Sequence, residues 1–132
     1  SLGAEGVQMG SRFITSHESS AHLNFKSKII ESMEGDTDLT LKEITAVRML
    51  KNNFYQQIRD AYNKGASVDD LRRLLGKGRA KKGMFEGDLN KGELEVGQVS
   101  ASIKNIYSVE QIFNNVLNEF FNAQNSISKI RL

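Results

Sequence analysis

The stretch "GAEGVQMGSRF", residues 3–13, decides how the chain is read. Residues 7–14 (VQMGSRFI) form a short apolar run with glycine before it and a polar cluster, residues 15–20 (TSHESS), after it. Such a run predicts a strand, and one buried on both faces, as in parallel sheets wrapped by helices. Little else in the chain is strand-like, so the neighbouring strands are expected from residues outside this sequence. Ser1, Leu2 and Gly3 resemble the end of a helix with glycine at its C-cap, and the chain is therefore expected to be a piece of something larger. Gly10 and Ser11 stand at the strand exit, where main-chain N–H groups and a hydroxyl suit a phosphate. Arg12 adds charge if it turns the same way. Spacing alone leaves a second reading open, a tight exit at which Gly10 merely avoids a clash.

The chain has 132 residues, enough for one domain with a real core. Its 18 Lys and Arg against 16 Asp and Glu leave a net charge of +2, which supplies no general drive toward nucleic acid or anionic membrane. Absence of cysteine excludes disulfides, thiolate metal sites and a cysteine nucleophile. No apolar run reaches the roughly 20 residues of a membrane span, and no signal peptide is visible, so a cytoplasmic location is expected. Proline is absent, which leaves glycines and capping residues to end the elements.

Phe25, Ile29, Ile30 and Met33 share one helical face, with Lys26, Lys28 and Glu31 outside it. Residues 36–42 (DTDLTLK) alternate and predict an extended piece, although Thr40 and Glu43 also fit a capping box. Leu50, Phe54, Ile58 and Tyr62 recur every four residues and predict a helix ending at Gly65. Ser67 and Asp70 cap a short helix through Leu71, Leu74 and Leu75, closed by Gly76. Ser108 and Gln111 cap a final helix whose stripe is Ile112, Phe113, Val116, Leu117, Phe120 and Phe121.

Ordinary catalytic constellations are missing. His17 and His22 are five residues apart, not stacked as i and i+4 ligands, and read as exposed or capping side chains. Asp69, Asp70 and Glu18 read as carboxylates at helix N-termini. The run KGRAKK (residues 77–82) has the charge to touch phosphate, but it equally describes a solvated face, and no aromatic residues interleave it.

Several ordered motifs together resemble one family. GAEGVQMGSRF, S-x-E-S-x-A-H (residues 16–22), DT-x-LT (36–40), VRMLKN (47–52), GKGRAKKGMFEGD (76–88) and GELEVGQVSASI (92–103) are similar to the nitronate monooxygenase family, formerly 2-nitropropane dioxygenase. That family includes FMN-dependent enoyl-acyl-carrier-protein reductases. The similarity runs to about residue 121.

The resemblance implies an α/β protein: the C-terminal part of an FMN-binding (β/α)8 TIM barrel, its last strand plus a mostly helical remainder. Residues 1–15 would be the last strand and phosphate turn, 16–91 a helical excursion, and 92–132 a return segment and terminal helix packed on the barrel wall. Gln8, Met9, Gly10 and Ser11 would line the phosphate and ribityl end of FMN. Thr is usual where this chain has Ser11, and the hydroxyl is kept. Gln98 and Ser100, after Gly97, would lie near flavin or substrate at the barrel mouth. The second glycine-rich phosphate loop, the flavin-cradling strands and the family's active-site histidine would lie upstream, and neither His17 nor His22 is that histidine. No catalytic residue and no metal ligand is expected in this chain. The implied reaction is oxidation of an alkyl nitronate with O2, or reduction of an enoyl thioester with NAD(P)H. The chain alone is expected to be inactive, and a homodimer is compatible with either reaction. A non-catalytic helical module, pairing through the stripe from Ile112 to Phe121, is the competing reading from another class.

Overall fold

A computed structural model describes residues 3–129; the helix end read at Ser1 and Leu2 lies outside them. Residues 4–9 take no regular structure, and residues 3–10 are exposed, Val7 by 79%. The expected strand at 7–14 is therefore not formed. A strand exists only where a neighbour takes its N–H and C=O groups, and the described residues offer residues 4–9 no ladder. Ser11–Ile14 instead makes one helical turn, α1.

Helix α2 (Leu23–Ile30) begins at His22, whose Nδ1 accepts from the Asn24 N–H (3.1 Å). Phe25 and Ile29 enter the core as expected, whereas Met33 is exposed. Lys26, assigned to the solvent side, is buried: its Nζ donates to the carbonyls of Ser16 (2.6 Å) and Ser19 (2.9 Å). Those carbonyls belong to the loop that the lysine holds against the helix.

Strands β1 (Thr37–Thr40) and β2 (Val47–Leu50) form an antiparallel hairpin, with Thr37 opposite Leu50 and Thr40 opposite Val47. The extended reading of residues 36–42 thus holds over its centre. β2 also pairs with residues 94–96: Leu50 N–H donates to the Leu94 carbonyl (3.0 Å), and Val96 N–H to that of Arg48 (3.1 Å). Leu50 is consequently in a strand, and α3 (Asn53–Asn63) starts after it. The Asn52 side chain caps α3 through Tyr55 N–H and donates to the carbonyls of Leu89 and Gly92, 2.8 Å each. The phenol of Tyr55 donates to Asp38 (2.7 Å), and that of Tyr62 to Glu43 (2.6 Å), tying α3 to the hairpin. These bonds hold both carboxyls below their ordinary pKa, while desolvation and the acceptors push both phenols up.

Helix α4 (Val68–Leu75) has the expected capping box, Ser67 with Asp70, and Gly76 ends it at φ 62°. The Ser67 and Arg73 bonds draw the Asp70 carboxyl down to about 2. One wide turn of π-helix follows at Lys81–Phe85, packed closely against residues 92 and 93. A Cβ on Gly83 would stand 2.6 Å from the Glu93 carbonyl oxygen, and one on Gly92 would overlap the Gly83 Cα. The two backbones touch where only glycine fits.

The core forms two clusters. One gathers Phe25, Ile29, Leu50, Leu94, Val96 and Ile103; the other gathers Leu41, Met49, Phe54, Tyr55, Ile58 and Leu71. Helix α5 (Val109–Ser128) starts at the expected Ser108–Gln111 capping box. Its first N–H, of Val109, also donates to both carboxylate oxygens of Glu18 (3.0 Å each). Of the stripe expected to pack on a wall, Ile112 is buried, whereas Phe113, Leu117, Phe120 and Phe121 are exposed. Phe13 lies against Phe113, ring centres 6.5 Å apart. The other exposed rings meet no core residue here, because the described residues end their packing at the first turn of the helix. None of the described helices is long and apolar enough to cross a membrane.

Candidate functional site

Two turns distant in sequence meet at Ser11. The N–H of Gly97 donates to Ser11 Oγ (2.9 Å), joining the start of α1 to the 3-10 turn Gln98–Ser102. A Cβ on Gly97 would lie 2.9 Å from that same Oγ, so glycine is what permits the approach. As Ser11 Oγ accepts here, its own proton stays free to donate.

Gly10 lies beside open space, with nothing within 4 Å of where its Cβ would be. Among the described residues, the N–H groups of Gly10, Ser11 and Arg12 have no acceptor. Two or three main-chain donors and a hydroxyl on one small turn suit a phosphate monoester, so these residues fit the terminal group of FMN. Gln8, Met9 and Gly10 are exposed and Ser11 is half-buried.

Arg12 does not add its charge to this turn. Its guanidinium donates to Thr15 Oγ1 (2.8 Å) and the Asn105 carbonyl (3.1 Å), and stacks 5.3 Å over the Tyr107 ring. It braces α1 against the approach to α5.

Gln98 is exposed, and Ser100 is fully buried with its Oγ unpartnered. Ser100 N–H donates to the Gly97 carbonyl (3.0 Å), which closes the turn. An open groove of about 810 Å³ runs alongside, lined by Glu34, Thr37, Arg48, Gln98, Val99 and Ser102. Of these, sequence reasoning singled out Gln98 alone. Arg48 donates weakly to Thr37 Oγ1 (3.3 Å), and only the VRMLKN motif as a whole pointed toward it. Gly97 was named as the residue before Gln98, but its bond to Ser11 spans 86 residues and left no local signal. His22 caps α2 and packs on Gly87, where a Cβ would overlap its ring.

The fold over these residues is that of the C-terminal part of a (β/α)8 barrel. FabK from Thermotoga maritima is 33% identical, with a TM-score of 0.85 over 96% of this chain and 40% of that one. A point mutant of the same protein gives 0.81 over 96% and 38%. The model of the nitronate monooxygenase family matches residues 1–119, and the chain belongs to that family. A probable nitronate monooxygenase of Bacillus subtilis is 32% identical over 119 residues, 89% of this chain and 34% of that protein. One of Staphylococcus saprophyticus is 44% identical over 61 residues, 45% and 17% respectively. The chain thus spans about a third of the first of these relatives and about two fifths of FabK.

Proposed function

We propose that this chain supplies the phosphate end of the flavin site in an FMN-dependent oxidoreductase that oxidises alkyl nitronates with O2. The Ser11–Gly97 hydrogen bond carries this reading, since it joins the residues with free main-chain donors, Gly10 to Arg12, to the segment whose Gln98, Val99 and Ser102 line an open groove. Bound FMN supplies the redox chemistry. The part of this chain is positional. Gly10, Ser11 and Arg12 offer main-chain N–H groups to the phosphate, the Ser11 hydroxyl adds a donor, and Gln8 and Met9 flank the ribityl side. Recognition rests on neutral donors because the Arg12 guanidinium is engaged elsewhere. Gln98 faces the substrate side from the groove, and Ser100 supports the turn that presents it.

A second reading, an FMN-dependent enoyl-acyl-carrier-protein reductase using NAD(P)H, is favoured by the likeness to FabK. The exposed stripe of α5 keeps a third in play, a helical module that pairs through Phe113, Leu117, Phe120 and Phe121.

Titration of the purified chain with FMN, followed by flavin fluorescence, tests the reading. Saturable quenching that is lost in Gly10→Val supports it. A folded, oligomeric chain indifferent to FMN, or equal binding by Gly10→Val, counts against it and favours the pairing module. Neither nitronate nor NAD(P)H is expected to be turned over by these 132 residues alone. Turnover assays on the full-length enzyme separate the first two readings.

A further inference from the structure

Residues 71–82 (LRRLLGKGRAKK) hold six of the chain's 18 cationic residues and no carboxylate, in a chain with a net charge of only +2. The folded chain answers some of these charges. Arg72 pairs with Asp69, Arg73 with Asp70, and Lys81 with Glu86. Lys77 and Arg79, together with Lys82 (itself paired with Asp88) and Lys91 from the following loop, line a hollow of about 380 Å³ whose lining contains no acidic residue and no aromatic ring.

Arg79 makes that hollow rigid. Its guanidinium donates to the carbonyls of Leu74 (3.1 Å), Leu75 (3.2 Å) and Lys91 (2.9 Å), and its face lies 4.4 Å from the Phe54 ring centre. Every one of these hydrogen-bond and stacking partners is neutral and fixes the guanidinium in place; the carboxyl that its charge reaches, Glu93, is buried and outside the lining of the hollow. The Lys91 carbonyl bond also holds the opposite rim in place. Lys77 and Lys91 have no carboxylate within 4 Å among the described residues, and Lys82 pairs with Asp88 (3.5 Å), which is not among the lining residues. Gly76 and Gly78 hold positive φ (62° and 77°), and a Cβ on Gly78 would meet nothing within 4 Å. The floor is therefore open main chain.

We propose that this hollow binds the phosphate or pyrophosphate group of a small ligand, at a place that shares no residue with the Gly10–Ser11 turn. Three lysines and an arginine lining one small concavity fit a compact polyanion. An acidic protein surface would instead meet cations spread along an exposed face, and a nucleic-acid strand would need rings to stack on. Lysine suits the task as a mobile point charge closing on phosphate oxygens.

The test is a titration of the isotopically labelled 132-residue chain with inorganic pyrophosphate at low salt, read residue by residue from amide NMR shifts. Saturable shifts at Gly76, Lys77 and Gly78 are expected, weakened at about 0.15 M salt by screening. Replacing Lys77, Lys82 and Lys91 together by Gln should weaken binding by about tenfold or more, with unchanged response at Gly10 and Ser11. If the triple variant does not fold, Lys77→Gln alone carries the test, since Lys77 is exposed and unpaired among the described residues. Shifts that never saturate, that persist in the lysine variants, or that fall only at Gly10 and Ser11 overturn the proposal. Binding of polyglutamate without any pyrophosphate response overturns it in favour of an acidic protein partner.

Discussion

Gly97 N–H and Ser11 Oγ, 86 positions apart, sit at hydrogen-bond distance (2.9 Å): the N–H orients the Ser11 hydroxyl, and the hydroxyl leaves no room for a Cβ at Gly97. Ser11→Ala removes the acceptor and should cost about 1 kcal/mol. Gly97→Ala places a methyl against Ser11 Oγ, turns the hydroxyl away, and should cost at least as much. The double variant should cost about the same as Ser11→Ala alone, because removing the hydroxyl also removes the clash. A denaturation cycle over the four proteins checks this, and additive costs would show that the two residues are independent.

Gly83 and Gly92 meet through their main chains under the π turn, with no room for a Cβ on either. Gly92→Ala should destabilise the chain by about 3 kcal/mol or abolish folding, as overpacking against backbone does. Gly78→Ala serves as the comparison: its Cβ meets open space, and only its positive φ is strained. Thermal melts should rank Gly92→Ala well below Gly78→Ala.

Glu93 is buried, and its carboxyl is pushed up to about 7 by desolvation and by Glu95, with Arg79 pulling the other way. The fold therefore favours the neutral acid. Ionisation costs nothing below the ordinary value near 4.5, costs progressively more from there to about 7, and is fully felt above. Glu93→Gln should match the parent at pH 4 and exceed it at pH 8 by about 1–2 kcal/mol, allowing for solvent screening. Chemical denaturation at both pH values checks this; equal differences at the two would contradict it.

Lys26 ties the loop at residues 16–19 to α2 through two carbonyls, and Glu18 of that loop holds the first N–H of α5. Lys26→Met should cost about 1–2 kcal/mol by leaving the carbonyls unpaired. It should also speed amide exchange at Val109 as well as at Ser19, since both depend on the loop. Exchange unchanged at Val109 would show that Glu18 holds α5 unaided.

Helix signals that act over three or four residues were legible. The boxes at Ser67–Asp70 and Ser108–Gln111 close within one turn and need nothing else. β2 was not legible, because Leu50 continues the i, i+4 series of Phe54 and Ile58 and its pairing with Leu94 is remote. The close approach of Gly83 to Gly92 under the π turn is likewise a remote contact with no local signal. Residues 7–14 carry the apolar character of a strand but find no ladder among these residues. For the site, Gly10–Ser11 was visible as a small-residue exit and its family resemblance supplied a role, whereas the Gly97 contact and the Arg12 orientation depend on tertiary approach.

Consecutive residues of β2 point into different clusters: Met49 into the one built on α3 and α4, Leu50 into the one built on α2 and residues 94–103. The pleat of a four-residue strand is thus the seam between two packing units. Each unit can loosen on its own side until the disturbance reaches β2, and beyond that strand neither can open without the other. The seam runs through VRMLKN, and Arg48 beside it lines the groove at Gln98.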